Sequence, residues 1–424
     1  ITTGEKNVVV GTYAFDANTT GSFNTVVGRA ALSANTDADH NTAIGFQALD
    51  LNTTGQYHVA VGSGALDANT TANNNTAVGY VALTSNTTGA QNTAIGRSSL
   101  STNTTGGGNT GLGYGALTAC TTGDNNTAVG QDSLGSSTTA DNNTALGYSS
   151  GSSLTTGTSS VFIGYGAGDS VTTANQNTII GAFAGQDLVD QSANTFVGEE
   201  AGQNTIGEAN TFLGAFAGEN TNDVDRCIGI GRAAMLGTDG STTGNNNIAI
   251  GFNSMMSVTT GTQNISIGST SLDAMTTADN NTCLGHNTMS TVTTGGSNTA
   301  IGAFALDANT TASNNTAVGV DALGANTTGT NNVAVGANAL DANTTSSDNT
   351  AVGLSSLTNS TGSSNTALGF QAGANVTSAS NNVFLGRDAG VTGSPGGNIT
   401  TSGGVLCIGD ENISAAHVQV DWTI

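Results

Sequence analysis

Apolar residues in this chain recur on a fixed ruler, without the 3.6-residue rhythm of a helix or the long alternation of a wide strand. Aligned on the string Asn-Thr-Ala-(Val/Ile)-Gly, copies begin at Asn7, Asn24, Asn41, His58, Asn75 and so on to Asn194, always 17 residues apart. The series continues from Asn210 through Cys227, Asn247 and Asn264 to Val405, giving 24 copies whose few off-length steps are 16, 20 and 23 residues. A short period held over nearly a whole chain marks a solenoid, in which each coil buries its apolar side only by stacking on its neighbours. The pattern predicts an all-β parallel β-solenoid, a β-roll of 24 coils over residues 1–409, with a C-terminal tail at 410–424. Coils about 4.8 Å apart would make a rod on the order of 115 Å long. The longer copies around Leu236–Asn246 and Val391–Gly404 are expected to bulge outward as loops, leaving the stack intact.

Positions within the copy, counted from its first residue, carry the physical detail. Position 5 is Gly throughout, as in Gly11, Gly28, Gly45, Gly79, Gly214 and Gly409, which predicts a backbone corner with positive φ or a close approach. Positions 2 to 4 are rich in β-branched residues and read as a strand ending at that corner, and the Ala-Leu pairs at positions 8 and 9 read as a second strand. A large residue at position 3 goes with Gly at position 9, as in Phe162 with Gly168 and Phe212 with Gly218, while Ala77 goes with Leu83. Such trading of volume predicts that the two side chains face each other inside one coil. Ala145 with Gly151 and Ala367 with Gly373 break the rule. Position 12, Asn in runs such as Asn52, Asn69 and Asn86 and apolar elsewhere, reads as an inward turn with an amide ladder.

If position 3 points in, position 4 points out, because strand side chains alternate. Yet position 4 is always a large aliphatic: Val10, Val27, Ile44, Val61, Val78, Ile95, Leu112, Ile163, Ile250, Ile301 and Val335 are examples. An outward stripe of this length exceeds what a monomer leaves in water, so it predicts a symmetric bundle, a homotrimer with position 4 at its axis.

Composition narrows the function. With 61 Gly, one Pro, 8% charged and 4% aromatic residues, the chain cannot build a thick globular core. A net charge of −23, from 29 acids against six bases, supplies no footprint for nucleic acid or an anionic membrane. No stretch approaches 18 apolar residues, so membrane insertion is not expected, and a start at Ile1 reads as a fragment or processed piece. Four cysteines without metal spacing read as packing thiols.

The strings Asn41-Thr-Ala-Ile-Gly45, Asn92-Thr-Ala-Ile-Gly96 and Asn298-Thr-Ala-Ile-Gly302, with their following Ala-Leu pairs, resemble the head repeats of trimeric autotransporter adhesins. They are still more similar to the repeats of bacteriophage tail fibres. The resemblance covers residues 7 to 409 and implies a trimer of parallel β-rolls, extracellular, on a virion or cell surface; the 17-residue period departs from the shorter adhesin repeat. The tail with Trp422 resembles the segment before the self-cleaving chaperone of phage fibres.

Chemistry is sparse. His40, His58, His286 and His417 have no second ligand at metal spacing, so neither a catalytic nor a metal role is expected. Calcium is a minor option at the acidic spot around Asp187, Asp190, Glu199 and Glu200. Tyr80, Tyr114, Tyr148 and Tyr165 are candidate contacts for a host-surface glycan. Thr pairs at positions 13 and 14, such as Thr53-Thr54, form two columns that also suggest an ice-binding face. The expected function is a non-enzymatic fibre or spike shaft in host attachment; the alternatives are a bacterial adhesin head binding host matrix or glycans, and an ice-binding protein.

Overall fold

In the computed structural model, residues 3–238, 242–394, 397–410 and 413 are described. The tail beyond, with His417 and Trp422, lies outside them. The chain divides into two compact units, Ile1–Glu219 and Asn220–Ile424.

In the first unit each coil contributes one three-residue strand at positions 2 to 4, from Val8–Val10 to Thr211–Leu213. Neighbouring strands are parallel and in register: Thr76 pairs with Thr93, Ala77 with Ala94, Val78 with Ile95. The second unit repeats the arrangement from Ile228–Ile230 to Leu406–Ile408. There the insertions leave the ladder unbroken, since Ile228 pairs with Ile248 across the 20-residue step and Val383 with Leu406 across the 23-residue step. Both units are therefore all-β parallel solenoids with a 17-residue period and no helix among the described residues.

The second strand expected at positions 8 and 9 is not there. Positions 7 and 9 adopt left-handed φ in copy after copy, +50° at Val81 and +54° at Leu83, and alternating handedness cannot extend a strand. The backbone remains bonded by another route. Val81 N–H donates to Ser63 O of the preceding coil (3.0 Å) and Leu83 N–H to Ser99 O of the following one (2.9 Å). A left-handed non-glycine costs about 1–2 kcal/mol, which these inter-coil bonds and the burial of Leu83 offset.

Position 3 and position 9 share the interior. A Cβ on Gly168 would lie 2.6 Å from Phe162 Cδ1, and one on Gly202 2.7 Å from Phe196 Cε2. The two exceptions to the volume rule have the same cause one coil away. A Cβ on Gly151 would meet Phe162 Cδ2 at 2.9 Å, and one on Gly373 would meet Phe384 Cδ2 at 2.8 Å, so the next coil's ring fills the space. Phe162→Ala should thus be strongly destabilising, and Gly168→Leu alone should clash, yet the double variant should recover at least ~1 kcal/mol relative to the sum of the singles. Urea unfolding of the four proteins measures that coupling.

Candidate functional site

Two polar ladders run inside the coils, and they explain what the repeat conserves. At position 12, Asn69 Nδ2 donates to Asn52 Oδ1 (2.8 Å) and Asn103 Nδ2 to Asn86 Oδ1 (2.8 Å). Leu154, Val171 and Val258 occupy the same inward position, fully buried. Position 1 forms a second ladder that the sequence reading passed over. Polar side chains there accept the backbone N–H of position 1 in the next coil, as Asn75 Oδ1 does from Asn92 (2.8 Å), while the Asn75 amide donates inside the coil to Gly89 O (2.9 Å). His58, Ser160 and Cys227 take the same role through Nδ1, Oγ and Sγ. The signal was legible: each is a short side chain with an acceptor atom.

His58 is the one imidazole in this ladder. Asn75 N–H donates to its Nδ1, so the proton sits on Nε2, which donates to Ala72 O at 2.7 Å. Burial lowers its pKa from 6.5 to about 4, outweighing the backbone bonds that act in the opposite sense. The same desolvation pushes the Cys120 and Cys227 thiols up to about 11. All four cysteines are free and buried, and burial raises the Cys283 thiol in the same way.

The corner glycines sit where backbone meets backbone. Gly79 has φ +142°, and a Cβ there would lie 2.5 Å from Gly96 O; Gly11, Gly28 and Gly45 have φ between +141° and +143° and likewise abut the glycine of the next coil, and Gly214 has φ +135°. Gly409 differs, with φ +80° and the Ile413 side chain as its neighbour.

Outside the coil, the strand face carries the unusual surface. Position 3 is buried in every copy after the first, whose Val9 is exposed, while position 4 is half-exposed or exposed, 60% at Val10, 38% at Ile44 and Ile95, 43% at Leu112 and 37% at Ile301. Val27, Val61, Val78 and Ile163 of the first unit are half-buried at the same position, as are Ile250 and Val335 of the second. The threonines beside them at position 2, such as Thr76 and Thr93, are half-buried on the same outer face. No acid occupies position 2 or 4 in any copy.

Aromatic and basic side chains edge this face. Tyr80, Tyr114, Tyr148 and Tyr165 all lie exposed at position 6, just past the corner, and Tyr148 stacks on Tyr165 at 5.3 Å. All six basic residues of the chain occupy either position 6, as Arg29, Arg97, Arg232 and Arg387, or the site immediately before position 1, as Lys6 and Arg226. The Arg97 guanidinium lies 5.9 Å from the Tyr80 ring and 5.7 Å from that of Tyr114. Arg29 covers Phe46 at 5.6 Å, and at the opposite edge Lys6, Phe23, His40 and Tyr57 form a continuous stack. The acids concentrate elsewhere, for example at position 10 as Asp50, Asp67, Asp307 and Asp341. Burial, with neighbouring Asp50 for Asp67 and Asp321 for Asp341, raises those two carboxyls.

Other candidates assemble nothing comparable. No group of three His, Cys, Asp or Glu stands at metal-binding distance among the described residues. A cavity of about 290 Å³ in the second unit is lined by Gln371, Arg387, Asp388, Thr392, Ser394 and Asp410. Its groups already engage one another, Arg387 Nε with Asp388 at 3.1 Å and Ser394 Oγ with Gly397 O at 3.1 Å. The Thr hydroxyls of position 13 are spent between coils, Thr87 Oγ1 donating to Thr104 O at 3.0 Å.

Fold and surface together define a parallel β-solenoid repeat protein with an acid-free, aliphatic strand face. No family model, curated protein or solved structure matches the chain.

Proposed function

We propose that the chain is a structural shaft of an extracellular attachment fibre of the phage tail-fibre or spike kind, self-associated as a homotrimer through its strand faces. The observation that carries this is the outward aliphatic column at position 4. All-parallel sheets occur almost only with both faces covered, and here the outer face bears Val, Ile and Leu in every copy. Its composition is also that of an interface: aliphatic and free of acids at positions 2 and 4, with aromatic and Arg side chains at the edges. Nothing in the coil requires an aliphatic at position 4, because the side chain leaves the interior. A shaft built this way holds a receptor-reading tip away from its base while its backbone bonds are spent between coils.

The test is native mass by light scattering, with Ile95→Asp beside the parent chain. A mass near three times 41.5 kDa, falling in the variant while the circular dichroism of the fold is retained, is the expected result. A monomeric parent chain would sink the proposal.

A second reading, an adhesin that contacts host glycans along its side, draws on the exposed rings of Tyr80, Tyr114, Tyr148 and Tyr165. Saccharide binding that is lost on Tyr80→Ala and Tyr114→Ala would favour it. The ice-binding alternative is weakened as a proposal by the position-13 hydroxyls, which serve the next coil's carbonyls.

A further inference from the structure

We infer that identical chains meet edge to edge and in register, the position-6 edge of one copy packing against the opposite strand edge, positions 16 and 17, of the next. The inference rests on the self-association proposed above and goes beyond it to name the edges, the direction and the register.

The observation is a correlation between positions too far apart to touch within a chain. Four copies carry Arg at position 6, and two copies carry Gly-Gly as their last two residues, which are positions 16 and 17 of a 17-residue copy. Both Gly-Gly pairs fall in Arg copies: Gly107-Gly108 follows Arg97, and Gly403-Gly404 follows Arg387. A third Arg copy, that of Arg29, carries Asp39-His40 there, an acid for the base.

Within the chain these edges are separate. They stand six residues apart along the strand face, on the order of 20 Å. The atoms nearest Gly107 and Gly108 belong to Ala90, Asp124 and Asn125 of their own column, whereas the Arg97 guanidinium lies between Tyr80 and Tyr114.

The coil itself does not demand glycine at position 17. Tyr57 (φ +62°), Asn74 (+61°), Gln91 (+61°) and Ser297 (+60°) all take the same left-handed conformation there; a Cβ on Gly404 would meet nothing within 4 Å, and one on Gly108 would meet the movable Asn125 amide oxygen at 2.6 Å. Bare backbone at these two places makes room for something outside the chain, and the repeat pairs it with the longest outward side chain on the other edge. Arg29 and Arg97 also have no carboxylate at salt-bridge distance among the described residues, in a chain with 29 acids. Against a second copy, Arg97 reaches the bare backbone of a glycine pair, whose Gly107 carbonyl already accepts the Asn125 N–H (3.0 Å), and Arg29 reaches Asp39.

This pairing fixes geometry. Opposite edges meet with the coils in step only if the copies point the same way and are related by rotation about an axis along the stack. Antiparallel copies would instead bring like edges together.

Oxidative cross-linking of Arg97→Cys/Gly108→Cys tests the inference, since the native cysteines are buried. The double variant should form covalent oligomers, about tenfold more than either single variant, because a disulfide needs its Cα atoms within roughly 7 Å. Arg97→Cys/Ser159→Cys, three coils out of register, should not. Gly108→Tyr, a residue that position 17 accepts at Tyr57, should lower the native mass without unfolding the chain. An oligomeric parent whose double variant fails to cross-link, or cross-links equally out of register, overturns the edge assignment and leaves self-association standing. A monomeric parent would bring down both.

Discussion

Replacing Gly79 by Ala should cost roughly 3–5 kcal/mol, the sum of a backbone conformation that L-residues avoid and an overlap with neighbouring backbone. At φ +142° the new methyl would sit 2.5 Å from Gly96 O and 2.7 Å from Gly96 C, and neither atom belongs to a side chain that can swing away. Relief would require two coils to part, breaking the bond from Gly96 N–H to Val78 O (2.8 Å). Gly64→Asn is the matched control. Gly64 also has positive φ, +67°, but its Cβ would meet only side-chain atoms at ordinary distances, Val81 Cγ1 at 3.4 Å and Thr84 Oγ1 at 3.9 Å, and Asn253 and Asn338 already occupy position 7. Its unfolding midpoint should stay within about 0.5 kcal/mol of the parent. Equal losses in the two variants would mean that the conformation alone, and not the contact between successive corners, makes position 5 glycine.

The second large effect is acid lability centred on His58. Its folded pKa, about 4, lies below the ordinary 6.5, so between those values the unfolded chain binds the proton more readily. The stability this difference represents is complete above pH 6.5, declines as the pH falls, and is lost below about 4. The shift corresponds to a loss on the order of 3 kcal/mol. Protonation at Nδ1 would turn the acceptor of the Asn75 N–H into a donor inside a ladder that needs acceptors. His58→Asn restores the residue found at position 1 in most copies, whose carbonyl and amide reproduce both bonds, as Asn41 does toward His58 N–H (2.9 Å) and Gly55 O (3.0 Å). The variant's stability minus the parent's, from urea unfolding at a series of pH values, should be small at pH 7.5 and grow as the pH falls from 6.5 to 4. A difference that does not change with pH would show that His58 is not held neutral. Subtraction matters because Asp67, Asp169, Asp273, Asp307 and Asp341, whose pKa values are raised by burial, respond to acid with the opposite sign in both proteins.

Much of this molecule was legible in one dimension because its contacts are periodic. A residue's neighbours in space are its own equivalents 17 positions away, so the ruler that located Asn75 and Asn92 also named a pair that touches. The strand at positions 2 to 4, the inward position 12 and the volume exchange of Phe162 with Gly168 follow from that arithmetic and from alternation along a strand. The outward direction of position 4 belongs with them.

What the pattern of residues could not decide is how the backbone closes each coil. Ala-Leu at positions 8 and 9 is as apolar as a strand, and nothing in its side chains announces that Val81 and Leu83 hold left-handed φ. That choice is made by hydrogen bonds to the coils on either side, which exist only once the stack has formed. The Phe162 ring filling the space at Gly151, one coil back, is likewise invisible to a rule written within one copy. So is the His58 environment, because desolvation is a property of the packed interior and not of the residue. The chain itself determined the period, the strand, the corner and the face left uncovered, since each depends on local steric and solvation preferences repeated in every copy. Tertiary structure alone decided the handedness of the turn residues, the cross-coil packing and the buried charge states, because those arise between coils.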